Sequence, residues 1–187
     1  MRIGIFVGVL AAIIIAIILI WFASCYNSFV KLTNTCKEAY ATMDVYLKKR
    51  FDLIPNLVET IKGASNYEQS TLQKVIDARS RIESAGSTSE KLEGENQLTS
   101  SLRSIFALSE SYPDLKANQN YNDLMEQLRR IEEDIANSRK YYNAVVKRLN
   151  NKVEMFPSNI VAAIFHYETQ PMFEITSEER ENVKVQF

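Results

Sequence analysis

A single histidine, two cysteines, four prolines and five glycines in 187 residues leave little material for catalysis or for sheet structure. With His166 alone, neither an HExxH zinc site nor any other multi-histidine metal site can be assembled. His166 lies between Phe165 and Tyr167, a setting that suits a hydrogen-bonded structural histidine better than a general base. No CxxC, GxSxG, GxxxxGKS or GxxxxGKT tract occurs, which removes the common thiol, hydrolase and phosphate-cradling routes. Cys25 and Cys36 stand eleven residues apart, about 16 Å along one helix and far beyond a disulfide's span. No disulfide framework follows, the redox compartment stays open, and Cys36 reads as a small buried apolar side chain. An excess of either charge is missing too. Lys plus Arg number 22 against 23 Asp plus Glu, so no field points to nucleic acid or to a polybasic membrane contact. Glu132, Glu133 and Asp134, beside Arg129 and Arg130, read as a solvated, ion-paired helix face in preference to a carboxylate site. The sequence therefore nominates no catalytic residue, no metal ligand and no cofactor-binding residue, and the chain is not expected to be an enzyme.

What the chain does have is Ile3 to Ala23, twenty-one residues without a charge. As a helix they rise about 32 Å, which matches a hydrocarbon core of about 30 Å. Only a helix crosses there as a single segment, because lipid offers no partners to free backbone groups. Trp21, Phe22 and Tyr26 stand at the downstream end, where amphipathic rings favour the headgroup level. A secretory signal has a shorter apolar region and a small-residue cleavage site, so a retained anchor is the better reading. Phe22-Ala23-Ser24-Cys25 loosely resembles a lipoprotein cleavage box, which is the alternative; both readings put the chain on a membrane. Arg2 flanks one end while Lys31 and Lys37 follow the other, a near tie that leans toward a cytoplasmic domain.

The remaining residues, about 160, suffice for one domain with a real core and read as helix throughout. Phe29, Leu32, Cys36, Tyr40, Met43 and Leu47 mark one buried stripe from Tyr26 to Arg50. Lys48-Lys49-Arg50 reads as a solvated basic turn. Pro55 either sits in the first turn of a new helix capped by Asp52 or kinks a helix running through; Phe51, Ile54, Val58 and Ile61 keep phase across it. Ser65 and Glu68 have capping-box spacing after Gly63, and a helix to about Ser84 turns Leu72, Val75, Ile76 and Ile82 inward. Residues 85–89 form a linker of turn formers. A helix from about Glu90 to Ser111 carries Leu98, Leu102, Ile105 and Phe106, and Tyr112-Pro113-Asp114 ends it. The longest soluble helix, Asn120 to Phe156, carries Leu124, Leu128, Ile131, Ile135, Tyr142, Val145, Leu149 and Phe156, close to the 3.5-residue repeat of bundle and coiled-coil packing. Asn159 to Tyr167 suits a short apolar helix. Arg139, Asn143 and Asn150 share a face beside that stripe, where an amide sets register in preference to lining a polar groove. Asn56 and Asp114, each after a proline, read as turn and capping residues.

Six tracts together resemble the bacterial LemA family: YNSFVKL at Tyr26, DVYLKKRFDLIPNLVETIKG at Asp44, ARSRI at Ala78, ESYPDLKAN at Glu110, EEDIANSRKYYNAVVKRLNN at Glu132 and FPSNIVAAIF at Phe156. The resemblance implies an all-α protein, a transmembrane helix followed by an antiparallel, up-and-down four-helix bundle, and it implies no reaction. The expected organisation is an anchor over 1–25, a bundle over 26–173 and an acidic flexible tail over 174–187. The expected function is a membrane-anchored scaffold or protein-interaction module of the plasma membrane, single-pass, whose partners are the bilayer through residues 3–23 and unidentified proteins, a second copy of the chain among them. An accessory subunit of a membrane protease or envelope-stress system is the alternative. A carboxylate-using hydrolase would need a concave pocket holding several acids with raised pKa values.

Overall fold

Every described element is a helix, as the scarcity of glycine and the apolar spacing require. The computed structural model describes residues 2–63 and 69–173. Helix α1 spans Arg2–Lys62, α2 Gln69–Ser84, α3 Thr88–Ser111, α4 Pro113–Ala117, α5 Gln119–Glu154 and α6 Ser158–Phe165. Helix α1 continues through Pro55, so of the two alternatives at that residue a helix running through is the one observed. Asp52 is therefore no cap; it lies in the helix interior and pairs with Lys48 at 3.5 Å. Asn56 is also interior, its carbonyl accepting from Thr60 Oγ1 at 2.7 Å, so neither flanking residue makes a turn. The reason is the unbroken apolar phase: Ile54, Leu57, Val58 and Ile61 are all buried. Burial on that face outweighs one missing backbone hydrogen bond. Ser65, Glu68 and the tail from Glu174 lie outside the described residues.

The chain separates into two compact units. One comprises residues 41–141 with 171–173 of the described tail, and it is the up-and-down four-helix bundle. Its core joins Leu57 and Ile61 of α1, Leu72 and Val75 of α2, Leu98 and Leu102 of α3, and Tyr121, Met125 and Leu128 of α5. Helix α3 begins two residues earlier than expected because Ser87 caps it, its Oγ accepting from the Glu90 amide at 3.2 Å. Glu90 reaches back to the Gly86 amide at 2.8 Å, a near relative of the capping box. Tyr112 ends α3 in an extended conformation, as a residue before proline prefers, and Pro113 opens α4. Ile76, expected inward, is 37% exposed.

Gly94 shows why a helix interior here tolerates glycine. A Cβ built on it would meet Ile82 Cγ1 at 2.9 Å, so α2 and α3 approach where only hydrogen fits. Alanine improves intrinsic helix propensity by about 1 kcal/mol. Gly94→Ala is nevertheless expected to lower the melting temperature, because the clash falls on a β-branched side chain of limited rotamer freedom. A raised melting temperature would show that the two helices can separate cheaply.

The other unit comprises residues 2–40 and 142–170 of the described chain. Residues 5–20 of α1 are exposed throughout, and the helix is long and apolar enough to cross a membrane. Beyond them, Cys25, Phe29, Cys36 and Ala39 are buried, as are Tyr142, Val145, Val146 and Leu149 of α5 and Val161 and Ala162 of α6. The stripe expected on α5 thus holds at Tyr142, Val145 and Leu149 and fails at Phe156, which is 79% exposed because α5 ends at Glu154. His166 ends α6 with φ 56° and ψ 40°, its amide donating to the Ala162 carbonyl. It is an exposed left-handed helix terminator, not the hydrogen-bonded side chain that its neighbours suggested.

Burial pushes the Tyr142 hydroxyl up to about 12, with Cys36 and Tyr40 adding to the shift. The folded chain therefore keeps this proton across an interval where the unfolded chain, at 10.0, releases it. Stability contributed by the neutral phenol is present below pH 10.0 and is lost as pH rises toward 12. Melts recorded across that interval should fall less steeply for Tyr142→Phe than for the parent.

Candidate functional site: buried charges on the helix seams

Within the four-helix unit the stripe of α1 reads Met43, Leu47, Arg50, Ile54, Leu57, Ile61, in alternating steps of four and three. That places an arginine on a helix–helix seam, and Arg50 is fully buried. The corresponding seam of α3 passes through Leu92, Glu95, Leu98 and Leu102, and that of α5 through Met125, Leu128, Glu132 and Ile135. Three charges thus converge from three helices. Arg50 Nη2 donates to the Glu95 carboxylate and, at 3.2 Å, to the Glu95 carbonyl. Nη1 donates to Glu132 Oε1 at 2.6 Å and to Thr99 Oγ1 at 2.6 Å. Thr99 in turn donates to the Glu95 carbonyl at 3.1 Å, closing the cluster on one turn of α3. Arg139, four residues beyond Ile135, brings Nη2 to 3.5 Å from Thr99 Oγ1 and lays its guanidinium 4.5 Å from the Phe173 ring. Glu95 is pushed up by burial, while Arg50, Arg139 and Lys91 pull it down.

The reading of Lys48-Lys49-Arg50 as a solvated turn is therefore corrected. Lys48 and Lys49 are exposed, but α1 has no turn there and Arg50 points into the core. Glu132 leaves the solvated face to which it was assigned; Glu133 and Asp134 remain on it. Arg139 and Asn143 are half-buried. Asn150 does something the seam argument did not foresee: in the other unit its amide donates to the Gln170 carbonyl at 2.9 Å and accepts from the Gln170 amide at 2.8 Å. It pins the segment after α6 by mimicking a backbone pair.

Beside the cluster lies a cleft of about 230 Å³ whose wall includes Asp44, Glu83, Lys91 and Glu95. Each carboxylate there has a cation: Asp44 pairs with Lys91 at 2.6 Å, Glu83 with Arg79 at 3.6 Å, and Glu95 with Arg50. For two carboxyls to act as a general acid and base, their pKa values must be pushed apart and both must reach a substrate. These acids are spent on ion pairs, and the Glu95 side chain is only 2% exposed. Chemically the arrangement clamps helices. Charges at seam positions fix which helix faces which, since a shifted register would bury each of them alone. Among the described residues no three ligating side chains are grouped to hold a metal ion.

A family model described as the LemA family matches residues 39–187. The chain is similar to Protein LemA of Metamycoplasma hominis, 24% identical over 158 residues that cover 84% of this chain and 72% of that protein. It is also similar to Magnetosome proteins MamQ 1 and MamQ 2 of Paramagnetospirillum magneticum, each 23% identical over 175 residues covering 80% of this chain and 64% of the relative. The chain thus spans under two thirds of the length of these magnetosome proteins, and none of the three names states a reaction.

Proposed function

The chain belongs to the LemA family, and from that premise we propose that it is a membrane-anchored helical scaffold whose bundle binds other proteins and catalyses nothing. The observation that carries this reading is that α1 bears both the exposed apolar span and one of the four bundle helices. In this reading residues 1–25 are a retained, single-pass anchor in the plasma membrane, residues 26–173 present the binding surface, and residues 174–187 are an appended tail. Cys25 is buried in mid-helix, which favours retention of the anchor over lipoprotein processing at that residue. The pairing of every acid at the seam cluster supports a structural use of those charges.

Fractionation and photo-crosslinking test the two halves separately. The full chain should sediment with membranes, resist high salt and dissolve in detergent. A photoreactive phenylalanine derivative at Val45, Ile76 or Tyr141, three exposed apolar positions of the bundle, should trap neighbours in intact cells. A crosslink between two copies would identify the chain itself as the partner. Recovery in the soluble fraction would sink the anchor, and crosslinks absent at all three positions would sink the interaction module.

A further inference from the structure

Among the described residues, a group of exposed apolar side chains adjoins the apolar span of α1. Met155, Phe156, Ile160, Ile164 and Phe165 are exposed. Ile160 and Ile164 lie four residues apart on one face of α6, and Phe156 stands in the turn just before that helix, while Val161 and Ala162 turn into the core of their unit. Soluble surfaces scatter such side chains singly, whereas a contiguous patch marks a binding face. This one is continuous with the anchor. Phe165 packs 5.9 Å from Phe22 and 4.6 Å from Tyr26, at the level where the apolar run gives way to aromatic rings. A cleft of about 520 Å³ opens beside them, walled by Trp21, Ser24, Arg148, Lys152 and Phe156 among others. Lys152 Nζ donates to Ser28 Oγ at 2.5 Å and lies 5.3 Å from the Phe29 ring, contacts that supply no counter-charge.

The geometry points to a second membrane contact: α6 and the Met155–Phe156 corner lie in the headgroup–acyl boundary of the leaflet that the anchor enters, with Arg148 and Lys152 meeting anionic lipid phosphates. An interfacial helix buries its apolar face about 5–10 Å into that boundary and carries basic groups on its wet side. The occupant is the bilayer because the patch adjoins the rings that end the membrane span and the basic pair faces the same cleft. The inference rests on the reading of residues 3–23 as membrane-embedded.

Tryptophan quenching tests it in the full chain reconstituted into phosphatidylcholine–phosphatidylglycerol vesicles with bromines high on the acyl chains. Trp21, the only tryptophan, reports the anchor in the parent. Phe156→Trp, Ile160→Trp and Ile164→Trp, each with Trp21→Phe, report the corner before α6 and α6 itself, and Lys37→Trp with Trp21→Phe reports an exposed position further along α1. All replace exposed or half-exposed side chains, so the helical spectrum should not change. Positions 156, 160 and 164 should lose emission to within about a factor of two of the Trp21 loss, and the Lys37 position should lose none. Quenching at Trp21 with none at positions 156, 160 and 164 overturns this contact and leaves the anchor standing. No quenching at Trp21 overturns the anchor and this contact with it.

Discussion

Arg50→Ala should bring the bundle to the edge of unfolding. The substitution takes the shared cation from Glu95, whose side chain is 2% exposed, and from Glu132, which is 19% exposed. Breaking a buried ion pair by deleting one partner costs about 3–5 kcal/mol, because the other charge stays buried without compensation. Domain stabilities of roughly 5–15 kcal/mol leave little after such a loss. Glu95 carries most of the penalty, since Glu132 can turn to water. The loss should also depend on pH in a particular direction. Burial already lifts the Glu95 carboxyl above 4.5, and without Arg50 the lift is opposed only by Arg139 and Lys91. A folded pKa above the unfolded one means the folded state holds the extra proton, so stability falls as pH rises from 4.5 toward the folded value. Thermal melts of Arg50→Ala should therefore improve on acidification from neutral pH, until other carboxylates intervene. A variant that melts like the parent would show that the guanidinium is dispensable.

Leu98→Ala combined with Leu128→Ala should be the other severe change. Both leucines are fully buried in one apolar cluster, contributed by α3 and α5. Each truncation of a buried leucine costs about 2–5 kcal/mol, part of it for the cavity left behind. Members of one cluster do not add simply, but even a partly additive pair rivals the whole stability of a domain. Circular dichroism should show a broad, early transition or none. Ile131→Ala, at a half-buried position, should cost less, and Lys140→Ala should stay within about 0.5 kcal/mol. A cooperative melt at the parental temperature in the double variant would refute the core described for this unit.

The contrast between these variants shows where the sequence was legible. Apolar spacing located the exposed apolar span, the helices and most of the buried positions, because burial of a stripe is the dominant local signal. Pro55 resisted because one lost hydrogen bond competes with an apolar face that only the folded chain displays. Ser87 and Glu90 were legible in principle: their spacing is that of a capping box, hidden among other turn formers. Arg50 was obscured by its neighbours Lys48 and Lys49, which make a charge run look solvated. Its step of three from Leu47 and four to Ile54 was the available signal, and Glu95 and Glu132 hold matching places on their own seams. A charge in phase with an apolar stripe deserves to be paired with an opposite charge in phase elsewhere. The exposed side chains at Ile160 and Ile164 were not separable from core by spacing alone, since an exposed and a buried apolar face share one helical periodicity.

In the function proposed above, the buried charges hold the bundle in register and take no part in chemistry. The most direct test replaces the whole cluster, Arg50→Met with Glu95→Leu and Glu132→Leu, and repeats the photo-crosslinking in membranes. Apolar replacement of a complete buried ion cluster is commonly neutral or stabilising, so the triple variant should fold where Arg50→Ala fails. The expected result is a helical, cooperatively melting variant that traps the same neighbours as the parent from Val45, Ile76 and Tyr141. A variant that folds and melts like the parent but traps none of them would contradict it, because the charges themselves would then be the functional site.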